Sequence, residues 1–325
     1  MSKTYIVQSS DETLETIAKA QKITIDKLLK LNPKLNKDGK LKIGETIKLD
    51  WIRYQLNHPK VIAIATDSYL TPTTPFPDPT NLPGIAAPKY GQDITKSTGR
   101  AAPNDMSVGK TPAELKPKMR KLLQVFASKD QSGMASRLFD AFLKKQGSVT
   151  YFDDNALSLA ASKHQNILDF CSFAMSAPNS PKKAVGKIRI HQALKNAKWD
   201  INKIIIPKDL GVPAFNIGSK TFQSGDFENG LGVMINGVQH AFVVATNYNY
   251  HEGRQTYQID LKFIFYDVFG LDDEDIVEFG ASSDSFLSSS AAIGITAWWQ
   301  LQHQHGYAPL VTRIIIEQKY EVPVK

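Results

Sequence analysis

The chain has 325 residues and a formal net charge of +7, with hydrophobic residues at 42% and charged residues at 22%. That balance is ordinary for a soluble globular protein of one or two domains, and the positive charge favours an anionic partner: nucleic acid, a cell-wall polymer or a membrane surface. A single cysteine, Cys171, excludes a disulfide framework and a cysteine-rich zinc site; no run reaches the roughly 18 apolar residues of a membrane helix, and the N-terminal MSKTYIVQSSDETLE lacks the apolar core of a signal peptide.

Residues 3–50 predict a compact strand–helix–helix–strand unit. Tyr5-Ile6-Val7 is a short strand. Asp11 or Thr13 caps a helix that buries Leu14, Ile17 and Ala18, and Ile25, Leu28 and Leu29 mark a second helix. Asn32-Pro33 ends it, because proline cannot continue a helix and restricts the residue before it. Leu41 to Gly44 turns into a last strand, Thr46 to Leu49.

The segments YIVQSSDETLETIA (Tyr5 to Ala18), ITIDKLLKLNP (Ile23 to Pro33) and LKIGETIKL (Leu41 to Leu49) resemble a LysM domain. The resemblance implies binding of N-acetylglucosamine-containing glycans, above all peptidoglycan. It also implies a sugar groove between the first turn and the loop after the second helix. Here that groove maps to Ser10, Asp11, Glu12 and Thr13 on one lip and Leu31, Asn32 and Pro33 on the other. The family's glycine-aspartate-threonine-leucine turn is replaced by Ser10-Asp11-Glu12-Thr13-Leu14, one residue longer and without the glycine.

Residues 51–66 read as a strand leaving this module, and the rest of 51–110 as a linker. Pro72, Pro75, Pro77, Pro79, Pro83, Pro88 and Pro103 lie there, a density that favours an extended, semi-rigid chain. The expected organisation is a glycan-binding module at 1–50, a connection at 51–110 and an α+β effector domain at 111–325, with a helical front half and then an antiparallel sheet.

Thr111 is an N-cap before Pro112 at the first helical position. Leu115, Met119, Leu122, Leu123 and Phe126 mark one helix, and Met134, Leu138, Phe139, Phe142 and Leu143 a second. Leu157 to Met175 holds a third and Ile188 to Ala197 a fourth. Gly230 to Ile235 and Val238 to Thr246 flank Asn236-Gly237, a strong hairpin signal because both residues accept positive φ. Tyr257 to Val268 is the next strand, with Ile259, Leu261, Phe263 and Phe265 on one face. Ala291 to His305 fits a helix, and Pro309 to Val322 a last strand.

The stretches FGLDDED (Phe269 to Asp275) and AWWQLQHQHGYAPLVT (Ala297 to Thr312) resemble, in order and spacing, C-terminal domains of cargo proteins associated with bacterial type VI secretion. The resemblance implies a context. The protein would be an antibacterial effector exported without a signal peptide, carried by a secretion spike protein, countered by an immunity protein, and active in the periplasm of a target cell. It carries no catalytic residue across.

Three constellations are candidates for chemistry. Asp267, Asp272 and Asp275 can split their pKa values into an acid and a base, or bind a divalent cation at Asp272 and Asp275; alternatively Asp272 caps a short helix with the other acids in its first turn. His303 is an outside partner for the acids, or suits a helix C-terminus. Cys171 on a helix and His240 on a following strand have the order of a papain-like amidase, against which Cys171 lies in an apolar run.

No phosphate-binding loop, H-E-x-x-H or G-x-S-x-G occurs. Basic residues are scattered, which argues against a nucleic-acid partner. Three functions stay open: a peptidoglycan hydrolase, a membrane-disrupting toxin using the apolar faces of the helices at 115–175, and an adaptor that only binds the wall.

Overall fold

A computed structural model describes residues 3–66, 74–75, 89–90, 99–103, 106–144, 147, 150–175, 189–205, 208–210, 212–213, 226, 228–235, 237–281 and 289–324. The N-terminal unit is β1 (Thr4–Ile6), α1 (Leu14–Ala20), α2 (Ile25–Leu31) and β2 (Thr46–Lys48), with β1 and β2 antiparallel. Thr13 caps α1 in a capping box with Thr16, and Thr24 caps α2. Each cap satisfies backbone N–H groups that a helix start leaves unpaired. Val7, Leu14, Ile17, Leu28 and Ile47 are buried in a core of its own.

The remainder is built on one seven-stranded sheet in the order β7-β11-β10-β9-β4-β8, with β3 also paired to β9. The strands are β3 (Arg53–Gln55), β4 (Lys60–Thr66), β7 (Thr150–Asp153), β8 (Lys208–Leu210), β9 (His240–His251), β10 (Thr256–Phe269) and β11 (Leu310–Pro323). β7 runs parallel to β11 and β8 parallel to β4, while β3, β4, β9, β10 and β11 meet antiparallel. A two-residue pair, β5 (Thr74–Pro75) with β6 (Lys89–Tyr90), stands apart.

This pairing moves a boundary. Residues 53–66, expected to lead out of the module into a linker, form β3 and β4 inside the body sheet. Val61, Ile62, Ala63 and Ala65 are at most 4% exposed, so burial draws them in. The proline-rich stretch therefore connects β4 with α3, two parts of the same body. Pro72, Pro77, Pro79, Pro83 and Pro88 lie outside the described residues.

The helices are α3 (Pro112–Arg120), α4 (Leu122–Phe126), α5 (Met134–Leu143), α6 (Asn155–Ser162), α7 (Gln165–Met175), α8 (Ile190–Asn196), α9 (Leu231–Met234), α10 (Asp273–Phe279) and α11 (Ser289–His303). Thr111 caps α3, with Pro112 in its first turn, as the sequence predicts. The helix expected at 115–126 is two, divided at Lys121, whose N–H turns tightly onto Lys118 O at 3.1 Å. The helix expected at 157–175 is also two. His164 divides it, its Nδ1 accepting from Asn166 N at 3.2 Å.

The strand expected at 230–235 is α9 instead. Gly230 takes φ 92°, and Asn229 Oδ1 accepts from Leu231 N at 2.9 Å, which starts a helical turn before the hairpin signal can act. Asn236 lies outside the described residues.

Tyr257, Ile259, Leu261, Phe263 and Phe265 of β10 face the main core, which also holds Leu115, Met119, Phe139, Phe142, Phe170 and Trp299. The alternate residues Ile264, Tyr266 and Val268 join Val61, Phe242, Val244 and Val311 in a separate cluster. Side chains paired across an antiparallel ladder share a face, so these clusters mark the two sides of the sheet. α11 meets α3 and α4 closely because Gly294 has no side chain; a Cβ there would stand 2.6 Å from Leu122 Cδ2. Phe269 stacks on Trp298 at 4.2 Å between centroids, fixing the end of β10 beneath α11.

Candidate functional site

The groove of the N-terminal unit comes first. Asn32 ends α2 and holds β2. Its Nδ2 donates to Leu28 O at 2.8 Å and Lys48 O at 2.9 Å, and its Oδ1 accepts from Lys48 N at 2.9 Å. Glu12 accepts from the Tyr5 hydroxyl and from Gln8 N, and these bonds hold its carboxyl below the usual carboxylate range, Tyr5 contributing most. Leu31 is 4% exposed and belongs to the core. Ser10, Asp11, Thr13 and Pro33 remain exposed on the two lips. Of the seven mapped residues, Glu12 and Asn32 have their side chains bonded within the unit, Leu31 is in its core, Thr13 caps α1, and Ser10, Asp11 and Pro33 are exposed.

The unit is fixed to the body. The Lys48 ammonium pairs with the Glu252 carboxylate, which also accepts from Ile52 N at 2.9 Å. Trp51 lies against Gly253, where a Cβ would come within 2.7 Å of the indole. β3 follows directly and pairs with β9.

The second candidate is the turn after β10. Asp272 is the N-cap of α10. Its Oδ1 accepts from Glu274 N at 2.9 Å and Asp275 N at 3.0 Å, while Asp275 Oδ2 accepts from Asp272 N at 2.9 Å. The two acids thus form a reciprocal capping box, the helix-start arrangement weighed against catalysis above. Burial first, and the Asp272 charge second, push the Asp275 carboxyl up to about 7. Asp267 is 7% exposed and lies on the main-core side of β10, between Phe265 and Phe269. Among the described residues, no group of three or more His, Cys, Asp or Glu side chains is arranged to hold a metal ion.

His303 closes α11 and is fully buried. Its Nε2 lies 2.8 Å from Leu271 O, which can only accept, so Nε2 carries the hydrogen; Nδ1 faces the Arg100 guanidinium at 3.4 Å. Beside it, Gln302 grips Leu271 from both ends, accepting from its N–H at 3.0 Å and donating to its C=O at 2.9 Å. Arg100 pairs with Asp273, which accepts from Trp299 Nε1 at 3.1 Å, and the guanidinium lies 5.8 Å from the Trp299 ring centre. The FGLDDED and AWWQLQHQHG stretches therefore meet through Leu271, Asp273, Trp299, Gln302 and His303. Arg100 and Asp273 were not singled out from the sequence. Only the acidic run hinted at Asp273, and nothing local marks Arg100, 173 residues away.

The cysteine–histidine pair does not assemble. Cys171 is buried in the main core, where its thiol is pushed up to about 12 by burial, away from the reactive thiolate. His240 pairs across the ladder with Tyr266, and Tyr266 belongs to the opposite side of the sheet. The structure instead pairs His164 with Asp226, Nε2 to Oδ2 at 2.7 Å. Both ring nitrogens are engaged, one by Asp226 and one by Asn166 N, so the pair ties Asp226 to the α6–α7 junction.

Residues 5–50 match the family model described as LysM domain. No curated protein and no solved structure matches the chain.

Proposed function

We propose that this protein binds peptidoglycan through its LysM unit and carries the α+β body to the cell envelope as a secreted antibacterial effector. The observation that carries the reading is the LysM match over residues 5–50, on a unit whose lips present Ser10, Asp11, Thr13 and Pro33. The finer context rests on the resemblance of FGLDDED and AWWQLQHQHGYAPLVT to type VI secretion cargo domains. Their meeting in one network supports treating them as one unit. On this reading a spike protein loads the chain, the target periplasm is where it acts, and an immunity protein opposes it.

A peptidoglycan-hydrolase activity of the body has one specific support. Asp275 holds its proton to a higher pH than an ordinary carboxyl, beside Asp272. A protonated acid next to a carboxylate is the pairing that glycoside cleavage uses. The cap hydrogen bonds of the same two residues are the competing use.

The test uses the full chain, since β3 and β4 complete the body. Purified sacculi are incubated with the wild type and with Asp275→Asn. Soluble fragments released by the first and not the second establish the hydrolase. Leakage of dye from liposomes without fragment release identifies a membrane toxin; among the described residues no helix is long and apolar enough to cross a membrane. Binding with neither effect identifies an adaptor. No binding to sacculi refutes the reading.

A further inference from the structure

α7 has two stripes. Ile167, Phe170, Cys171 and Ala174 enter the main core. Gln165, Leu168, Asp169, Ser172 and Met175 line an open groove of about 560 Å³, whose opposite wall is Gln318 and Tyr320 of β11. That volume is in the range of sites that bind small ligands or side chains.

β11 is an edge beside this groove. Its pairing with β7 stops at Arg313. The next outward group, Ile315 N–H, donates to Ser158 Oγ on α6 at 3.3 Å, so it points away from β10. β10 and β11 keep one register throughout. Backbone groups alternate in direction along an antiparallel strand, so the N–H and C=O groups of Glu317, Lys319 and Glu321 also point outward. Among the described residues, no strand other than β10 pairs with β11 beyond Arg313. Such a row is a template for an added strand.

A strand added there would turn every second side chain to the face of Gln318 and Tyr320, into the groove. Leu168, 39% exposed, and Met175 give the groove an apolar wall. Asp169, whose Oδ1 accepts from Gln165 Nε2 at 2.8 Å, is the one charged side chain among the described lining residues, and it is negative in a chain of net charge +7. The wall suits a long aliphatic stem and the carboxylate suits a cationic end, which together describe lysine or arginine. We propose that the outer edge of β11 and the α7 groove dock an extended peptide segment of a partner protein by strand addition, with a lysine or arginine of that segment seated against Asp169.

The test is amide exchange and chemical-shift titration on the isotope-labelled full chain. The probes are the blocked peptide Thr-Val-Lys-Val-Thr and its analogue with glutamate at the centre. The lysine peptide slows exchange at Glu317, Lys319 and Glu321 and shifts Leu168 and Met175, and it binds about tenfold more tightly than the glutamate peptide. Asp169→Asn removes that preference. Lys319→Pro deletes one outward N–H, leaves the β10–β11 ladder intact and abolishes binding of both peptides. The proposal is overturned if the three amides are already protected in the free protein, if the two peptides bind alike, or if a folded Lys319→Pro variant binds as the wild type does. Should that variant fail to fold, the exchange pattern and Asp169→Asn decide.

Discussion

Cutting the chain at residue 111 would remove β3 and β4 along with the LysM unit, and the body should not survive the cut. β4 sits between β9 and β8, and its Val61 and Ile62 are 4% and 0% exposed. At about 1.5–3 kcal/mol for each fully buried aliphatic side chain, those two residues contribute about 3–6 kcal/mol. A whole domain has only about 5–15 kcal/mol to lose. The cut also bares the edge of β9 from His240 to Ala245, an apolar strand open to pairing with other copies. The assay compares fragments 51–325 and 111–325 by near-ultraviolet circular dichroism on heating and by light scattering after gel filtration. Fragment 51–325 should melt cooperatively as a monomer, and 111–325 should aggregate or lose its sharp transition. A monomeric 111–325 that melts like 51–325 would refute the reasoning and return residues 51–110 to a connecting role.

Further outcomes follow from the same geometry. Asp275→Asn should flatten one component of the pH dependence of stability. The wild-type carboxyl is raised from 3.8 to about 7 in the fold, so its contribution is fully present below about pH 4 and fades as pH rises toward 7. The variant should gain on the order of 4 kcal/mol on the wild type between pH 4 and pH 8, read from urea midpoints; a constant difference would show that Asp275 does not titrate there. Asn32→Ala removes two hydrogen bonds to β2 and one back to α2 and should cost the LysM unit about 1–3 kcal/mol, seen as faster amide exchange at Lys48 while β10 is unchanged. Exchange rising equally in both would mean the unit and the body unfold together. His303→Ala should lower the melting temperature by loss of the Leu271 bond and the Trp299 contact, at about 2–4 kcal/mol. A variant that kept its stability but lost an activity on sacculi would make His303 catalytic after all.

What the sequence made legible was local. The LysM unit could be read because Thr13 and Thr24 cap helices whose apolar residues recur at helical spacing, and Asn32-Pro33 stops the second one. β10 could be read because Ile259, Leu261, Phe263 and Phe265 alternate over one buried face. The capping of α10 by Asp272 was visible as one of two alternatives, since four acids at a helix start favour its positive end. What stayed hidden was long-range. Nothing near residue 60 says that β4 will pair with β9, and nothing near Arg100 names Asp273. The order of Cys171 and His240 suggested a dyad, but strand register set them on opposite sides of the sheet, and register is a property of the whole ladder. Gly237 supplies half of a hairpin signal, and Asn229 with Gly230 override it by starting α9.

The central claim is that the LysM unit brings this chain to peptidoglycan, and co-sedimentation with purified sacculi tests it most directly. The experiment compares the wild type with a Ser10→Arg, Asp11→Arg double variant, altered only at exposed positions of one lip. The wild type should pellet with the sacculi and be released by soluble N-acetylglucosamine oligomers, and the double variant should stay in solution with an unchanged melting temperature. A wild type that stays in solution, or a variant that pellets equally, would contradict the claim.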